Sequence, residues 1–216
     1  MIRGGNVTAT GESFGIKGHK NITISGGKVS ATGGKYGIYS YGNITLSWTN
    51  STDRITASSY KLGSDANHVI IPNGKYLKDA DVNVYSGTLD NQLSSIKGKT
   101  LTPAIPVKYI DEDGKEQTIY NYTVLTSTTD VSSLTGGWFV VEGKVRYTNT
   151  VKFSENAHLI LADGAKMEIV TDDMEEHGIS ADRNLTIYGQ SGQSGILLDS
   201  AKGSSSYGIY GNNVTI

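Results

Sequence analysis

The sequence predicts an all-β protein: coils of a right-handed parallel β-helix, stacked as a solenoid, with a β-rich insert. Three observations predict it: a repeat of 22 residues at the start of the chain, the return of its phrases near the end, and short β-branched runs between glycine and asparagine turns.

The repeat carries the most weight. Residues 4–25 read GGNVTATGESFGIKGHKNITIS and residues 26–47 read GGKVSATGGKYGIYSYGNITLS, and they agree at 12 of 22 positions without a gap. One such unit suits a single coil of two or three short strands. Alternation along each strand turns Val7, Ala9, Ile16, Ile22 and Ile24 inward. Their counterparts Val29, Ala31, Ile38, Ile44 and Leu46 then stack on them, like upon like. Gly4, Gly5, Gly11 and Gly15 are expected at bends needing positive φ. Asn21, Asn43, Asn184 and Asn213 are expected to form a ladder of stacked amides.

The phrase aromatic-Gly-Ile, a turn, then Asn-x-Thr begins at Phe14, Tyr36 and Tyr207, and at His177 in the same pattern. A second duplicated phrase is His68-Val-Ile-Ile-Pro-Asn-Gly and His158-Leu-Ile-Leu-Ala-Asp-Gly. The division that follows is two coils over 1–47, an irregular β-rich insert or connector over 48–136, and a β-helix segment over 137–216. The array is expected to continue beyond the chain. Within the insert, 89–99 reads as one short helix, and 107–125 reads as a hairpin about Asp113-Gly114.

Composition bounds the function. Apolar residues are 37%, charged residues 19%, with 27 glycines and no cysteine, which excludes disulfides, thiolate zinc sites and cysteine nucleophiles. A net charge of −2 and a pI near 6.1 argue against nucleic acid as a partner. No apolar run approaches the length needed to span a bilayer, so no membrane insertion is expected within this chain.

The phrases GGWFVVEGKVRY, AHLILADGAKMEI, NLTIYGQSGQSGIL and SYGIYGNNVTI, in that order, resemble large repetitive surface proteins of gut bacteria with right-handed β-helix, pectin-lyase-like segments. The stretch NITLSWTNSTDRITASSY, with VIIPNGKYL and GTLDNQLSSIKGKTLTP, is similar to the connecting portion of such arrays. The resemblance implies an extracellular or cell-surface location and an adhesin-like or glycan-interacting role, with a polysaccharide or a host surface glycoprotein as partner. It implies no catalytic residues.

Candidate sites follow from residue chemistry. Tyr39, Tyr41 and Tyr210, placed in a turn, and Trp48 shortly after Tyr41, are the carbohydrate-binding candidates, because flat rings on a rigid sheet stack against the apolar face of a sugar. The plainer reading is ordinary strand and turn tyrosine. Asp172, Asp173, Glu175 and Glu176 are the calcium candidates, against a plainer reading as a solvated acidic loop with His177, Asp182 and Arg183. The Asp172-Asp173 and His177-Gly178 pairs are similar to polygalacturonase motifs, which that family carries on separate coils and this chain carries in one turn. His68 and His158 each start a strand, with no pairing at zinc-ligand spacing. Seven Asn-x-Ser/Thr sequons, at Asn6, Asn21, Asn43, Asn50, Asn121, Asn184 and Asn213, fit the repeated strand phrase better than glycosylation. The expectation is therefore a non-catalytic surface segment without a required cofactor. The alternatives are a carbohydrate-active β-helix enzyme, a polysaccharide lyase or hydrolase, and a purely structural stalk.

Overall fold

The computed structural model describes residues 1–171 and 177–216. Among the described residues the chain is all-β, with parallel pairing dominant, broken by a 3₁₀ turn and a short helix in sequence. It divides into two compact units, 1–105 and 106–216.

In the first unit the 22-residue repeat becomes three strands per circuit. The first circuit holds β1 (Asn6–Gly11), β2 (Phe14–Gly18) and β3 (Ile22–Ile24). The second holds β4 (Lys28–Gly33), β5 (Tyr36–Ser40) and β6 (Ile44–Leu46). A third, not evident as a repeat in the sequence, holds β7 (Arg54–Ala57), β8 (Tyr60–Leu62) and β9 (Val69–Ile71). Each strand pairs in parallel with its counterpart one circuit later, giving β1-β4-β7, β2-β5-β8 and β3-β6-β9.

The register is that of the repeat: Val7 beside Val29, Ala9 beside Ala31, Ile16 beside Ile38, Ile22 beside Ile44 and Ile24 beside Leu46. Ile55, Ala57, Tyr60 and Val69 continue the same columns. All members from the second and third circuits are buried in one apolar cluster, whereas Val7 and Ile16 of the first are half-buried. Each fully buried Ile or Leu contributes roughly 1.5–3 kcal/mol, so the columns outweigh any single turn contact.

The glycines divide into two groups. Gly5 and Gly27 take φ of +79° and +91°. Gly15 does not; a Cβ there would come within 2.7–2.9 Å of Thr32 N, Gly37 O and Ala9 O, so close backbone approach, not positive φ, requires it. Gly11 likewise lacks a positive φ.

Side chains tie one circuit to the next. Asn21 Oδ1 accepts the Asn43 N–H at 2.9 Å, and Asn43 Oδ1 accepts the His68 N–H at 2.8 Å. The asparagine ladder of the first unit is therefore built from side chain to main chain. The buried Asp53 carboxylate accepts N–H groups from Gly27 (2.8 Å), Thr49 (2.7 Å) and Asn50 (2.7 Å). Burial pushes its pKa up, but these three donors outweigh it and hold it below the ordinary range.

Antiparallel segments follow the third circuit. β10 (Leu77–Lys78), β11 (Val84–Tyr85), β12 (Gly87–Thr88) and β13 (Thr100–Pro103) pair antiparallel, with β12 on β9 and β13 on β7. A 3₁₀ turn, Asp90–Gln92, runs into the expected short helix, α1 (Leu93–Ile96), and Leu89 and Ile96 are fully buried in the same cluster as the columns. The buried Asp79 binds this region together, accepting from Lys99 Nζ (2.6 Å), Tyr85 Oη (2.8 Å) and Asn83 N (3.0 Å).

The second unit opens with the expected hairpin, β14 (Val107–Ile110) against β15 (Glu116–Ile119), with Gly114 at φ +75° in its turn. Next come β16 (Thr123–Leu125), β17 (Gly137–Val141), β18 (Lys144–Tyr147), β19 (Val151–Phe153), β20 (Ala157–Leu161), β21 (Lys166–Thr171), β22 (Ile179–Gly189), β23 (Ile196–Ala201) and β24 (Ile209–Thr215). Parallel pairing returns as β16-β17-β20-β22 and β18-β21-β23, with β19 and β24 also on β22. Asn156 Oδ1 accepts the Asn184 N–H at 3.3 Å, the same side-chain-to-main-chain device.

Two apolar layers flank one sheet here. Phe139, Val141, Leu159 and Leu161 face the main core, while the intervening Val140 and Ile160 face the other way and are fully buried. The hairpin covers them with Val107, Tyr109 and Ile119. Gln190 Nε2 fixes it there, donating to the Lys108 carbonyl at 2.8 Å.

Candidate functional site

A strand alternates sides residue by residue, so residues three apart fall on opposite faces. Tyr36 and Tyr39 do not: their ring centroids lie 6.0 Å apart with planes at 27°. The buried Gly37 lies between them, where a Cβ would meet Ala31 O and Ser58 N at 2.6 Å, so only glycine fits. Ile38 then points into the core while Tyr36 and Tyr39 share the outside.

Phe14, at the repeat position of Tyr36, completes a three-ring cluster, 6.3 Å from Tyr36 and 5.1 Å from Tyr39. Tyr41 extends it edge-on to Tyr39 at 5.0 Å, and His19 stacks on Tyr41 at 5.5 Å and 8°. Tyr41 is 48% exposed. Lys17 Nζ lies 5.1 Å from the Phe14 centroid, 6.0 Å from Tyr39 and 5.7 Å from Tyr41, a cation over ring faces. Desolvation and the adjacent Tyr41 raise the Tyr39 hydroxyl above its ordinary pKa.

The same cluster recurs in the second unit. His177 takes the place of Phe14, Tyr207 that of Tyr36 and Tyr210 that of Tyr39. Their centroid separations are 5.4 Å (His177–Tyr207), 4.6 Å (His177–Tyr210) and 5.8 Å (Tyr207–Tyr210). His177 Nδ1 accepts the Tyr207 N–H at 3.2 Å. Tyr207 and Tyr210 are 58% and 51% exposed, so their faces are open to a ligand.

The sequence candidates thus separate. Tyr39 lies within β5 and is half-buried among rings, not in a turn. Tyr41 lies beside the first cluster as an exposed ring, and Tyr210 is an exposed member of the second, within β24 and not in a turn. Trp48 has another role: it packs on the core, donates Nε1–H to the Tyr76 carbonyl at 2.9 Å and carries Lys75 Nζ 3.9 Å over its ring. Asp172, Asp173, Glu175 and Glu176, the calcium candidates, lie outside the described residues. Asp182 and Arg183 are turned to ion pairs, Lys152–Asp182 at 4.0 Å and Arg183–Glu155 at 2.8 Å. Among the described residues no group of three His, Asp or Glu could hold a metal, and no helix is long and apolar enough to cross a membrane.

The two histidines of the duplicated phrase differ. His68 Nδ1 meets Asp90 Oδ2 at 2.6 Å. His158 stacks on Trp138 at 4.3 Å and meets Tyr188 Oη at 3.1 Å, its pKa lowered by desolvation. A hollow of about 510 Å³ lies between the hairpin turn and the outer face of β22 and β24. Two of its lining residues are engaged: Asp111 accepts from Asp113, Lys115 and Gln117, and Gln190 bonds Asp163 N and Lys108 O.

Sequence reasoning did not gather Phe14, Lys17, His19 and His177 into a site. The signal was present as aromatic-Gly-Ile-Tyr at Tyr36 and Tyr207, with an aromatic one repeat earlier at Phe14 and His177. Compared with family models, with curated proteins and with solved structures, the chain matches none.

Proposed function

We propose that this chain is a non-catalytic, glycan-interacting segment of a bacterial surface protein, built as a right-handed parallel β-solenoid of the pectin-lyase-like kind and displayed outside the cell. The solenoid reading is supported by parallel pairing of each strand with its counterpart one repeat on, and by columns of like residues in one core. The glycan reading is carried by one observation. A three-ring cluster stands at the same place of the repeat in both units, half-buried at Tyr36 and Tyr39 in the first and open to solvent at Tyr207 and Tyr210 in the second. Sugar rings stack on such faces through their C–H groups, while phenol hydroxyls are at hand for hydrogen bonds.

A glycan array probed with the whole chain tests this. Binding is expected, without shortening of the polysaccharide. Tyr39→Ala and Tyr210→Ala should each weaken binding at their own cluster roughly fivefold, the worth of about 1 kcal/mol of ring contact. Shortening of a bound polysaccharide would put a carbohydrate-active enzyme in place of this reading, and silence across the array would leave the stalk.

A further inference from the structure

We infer that the ligand of the Phe14–Tyr36–Tyr39 surface is an acidic glycan, one bearing carboxylate or sulfate groups; this rests on the glycan-binding reading above. The charge on that face carries the inference. β2, β5 and β8 read FGIKG, YGIYS and YKL, with two lysines and no Asp or Glu. Lys17, Tyr39 and Lys61 form one row across the three strands, placing an exposed ammonium on each side of the central ring. Among the described residues neither lysine is paired with a carboxylate. The partners of Lys17 are ring faces, which attract a cation and leave its charge unneutralised.

The second unit provides the contrast. Its corresponding row is Lys152, Ser180 and Tyr210, with one lysine, and Asp182 stands 4.0 Å from it. Among the described residues the rings recur there beside a single lysine that faces a carboxylate. A neutral sugar would use the rings of either cluster. A sugar with an anionic group gains from two ammonium groups at the first, where it satisfies a charge that the fold leaves open. The whole chain is weakly acidic, so this patch is a local feature and not part of a basic stripe tracking a phosphate backbone.

The test compares a hyaluronan oligosaccharide with the same oligosaccharide after reduction of its carboxyl groups, titrated into the full chain by calorimetry. The acidic probe should bind roughly five- to tenfold more tightly at low salt, and the difference should fade as salt is added. Lys17→Gln with Lys61→Gln should abolish the preference between the two probes. Lys17→Arg with Lys61→Arg should keep it. Equal affinity for the two probes overturns this inference and leaves the glycan reading standing. Binding of neither overturns both. Tighter binding of a single-stranded oligonucleotide than of the acidic oligosaccharide also overturns it, because rings with lysines would then be serving bases and phosphates.

Discussion

Tyr60 stands in register beside Ile38, one strand further along the same sheet, and turns its ring into the same core. A phenol has taken an aliphatic place, and its hydroxyl is buried there with no hydrogen-bond partner. Desolvation drives its pKa far above the ordinary tyrosine value, so the group is a neutral, unsatisfied donor.

Removing that hydroxyl should therefore help. Tyr60→Phe keeps the ring and deletes the orphan, and the expected gain is about 1 kcal/mol in unfolding free energy, read from the denaturant midpoint. A loss of stability would mean that the hydroxyl has a bonding role.

Ile160 tests the second apolar layer. A residue between two core-facing leucines would, on a sheet with a solvated outer face, be exposed and cheap to truncate. It is fully buried beneath the hairpin. Ile160→Ala should cost about 2–4 kcal/mol in chemical denaturation. A cost near zero would show that the hairpin does not cover this face in solution.

Asp199 brings a pH dependence. Among the described residues no side chain partners its two buried carboxylate oxygens, and a Cβ on Gly178 would overlap them. Burial, opposed by the Ile179 backbone N–H, raises its pKa from 3.8 to about 6. A carboxyl with a raised folded pKa favours the protonated form, so it costs nothing where both states are protonated. The penalty grows as pH rises above 3.8, is complete once pH passes about 6, and then stays level. Asp199→Asn should flatten the fall in thermal midpoint across that window, and a carbon-detected titration of Asp199 should have its midpoint near 6. A midpoint at the ordinary carboxylate value would refute the burial argument.

How far the sequence was legible depended on the kind of pattern. The inward columns were readable because Val7 and Val29, or Ile22 and Ile44, repeat at one interval, and identical spacing in a parallel stack is identical position in space. The third circuit was harder to see, since Tyr60 replaces Ile38 and the spacing lengthens from Ile44 to Val69. The apolar triplets Phe139-Val140-Val141 and Leu159-Ile160-Leu161 hinted at strands buried on both faces. They could not say that the hairpin supplies the cover, because Val107 and Val140 are linked only through the fold.

The candidate site divided the same way. Tyr39, Tyr41 and Tyr210 were found by residue type, and Trp48 was gathered with them by proximity in sequence. Whether a ring faces solvent depends on the turn it leaves from. Trp48 packs on the core and reaches Tyr76, whereas Tyr39 joins the rings of Phe14, Tyr36 and Tyr41 on the outside of its strand.

By itself, then, the sequence determined the all-β class, the parallel register of the first circuits and the residues that stack in their core, because each depends on local alternation and an exact repeat. The tertiary structure decided which rings meet, which lysines stand unpaired beside them and which apolar faces are covered twice. Those outcomes depend on contacts between segments far apart in the chain, such as Trp48 with Tyr76 or Val107 with Ile160, whose separations the 22-residue period does not encode.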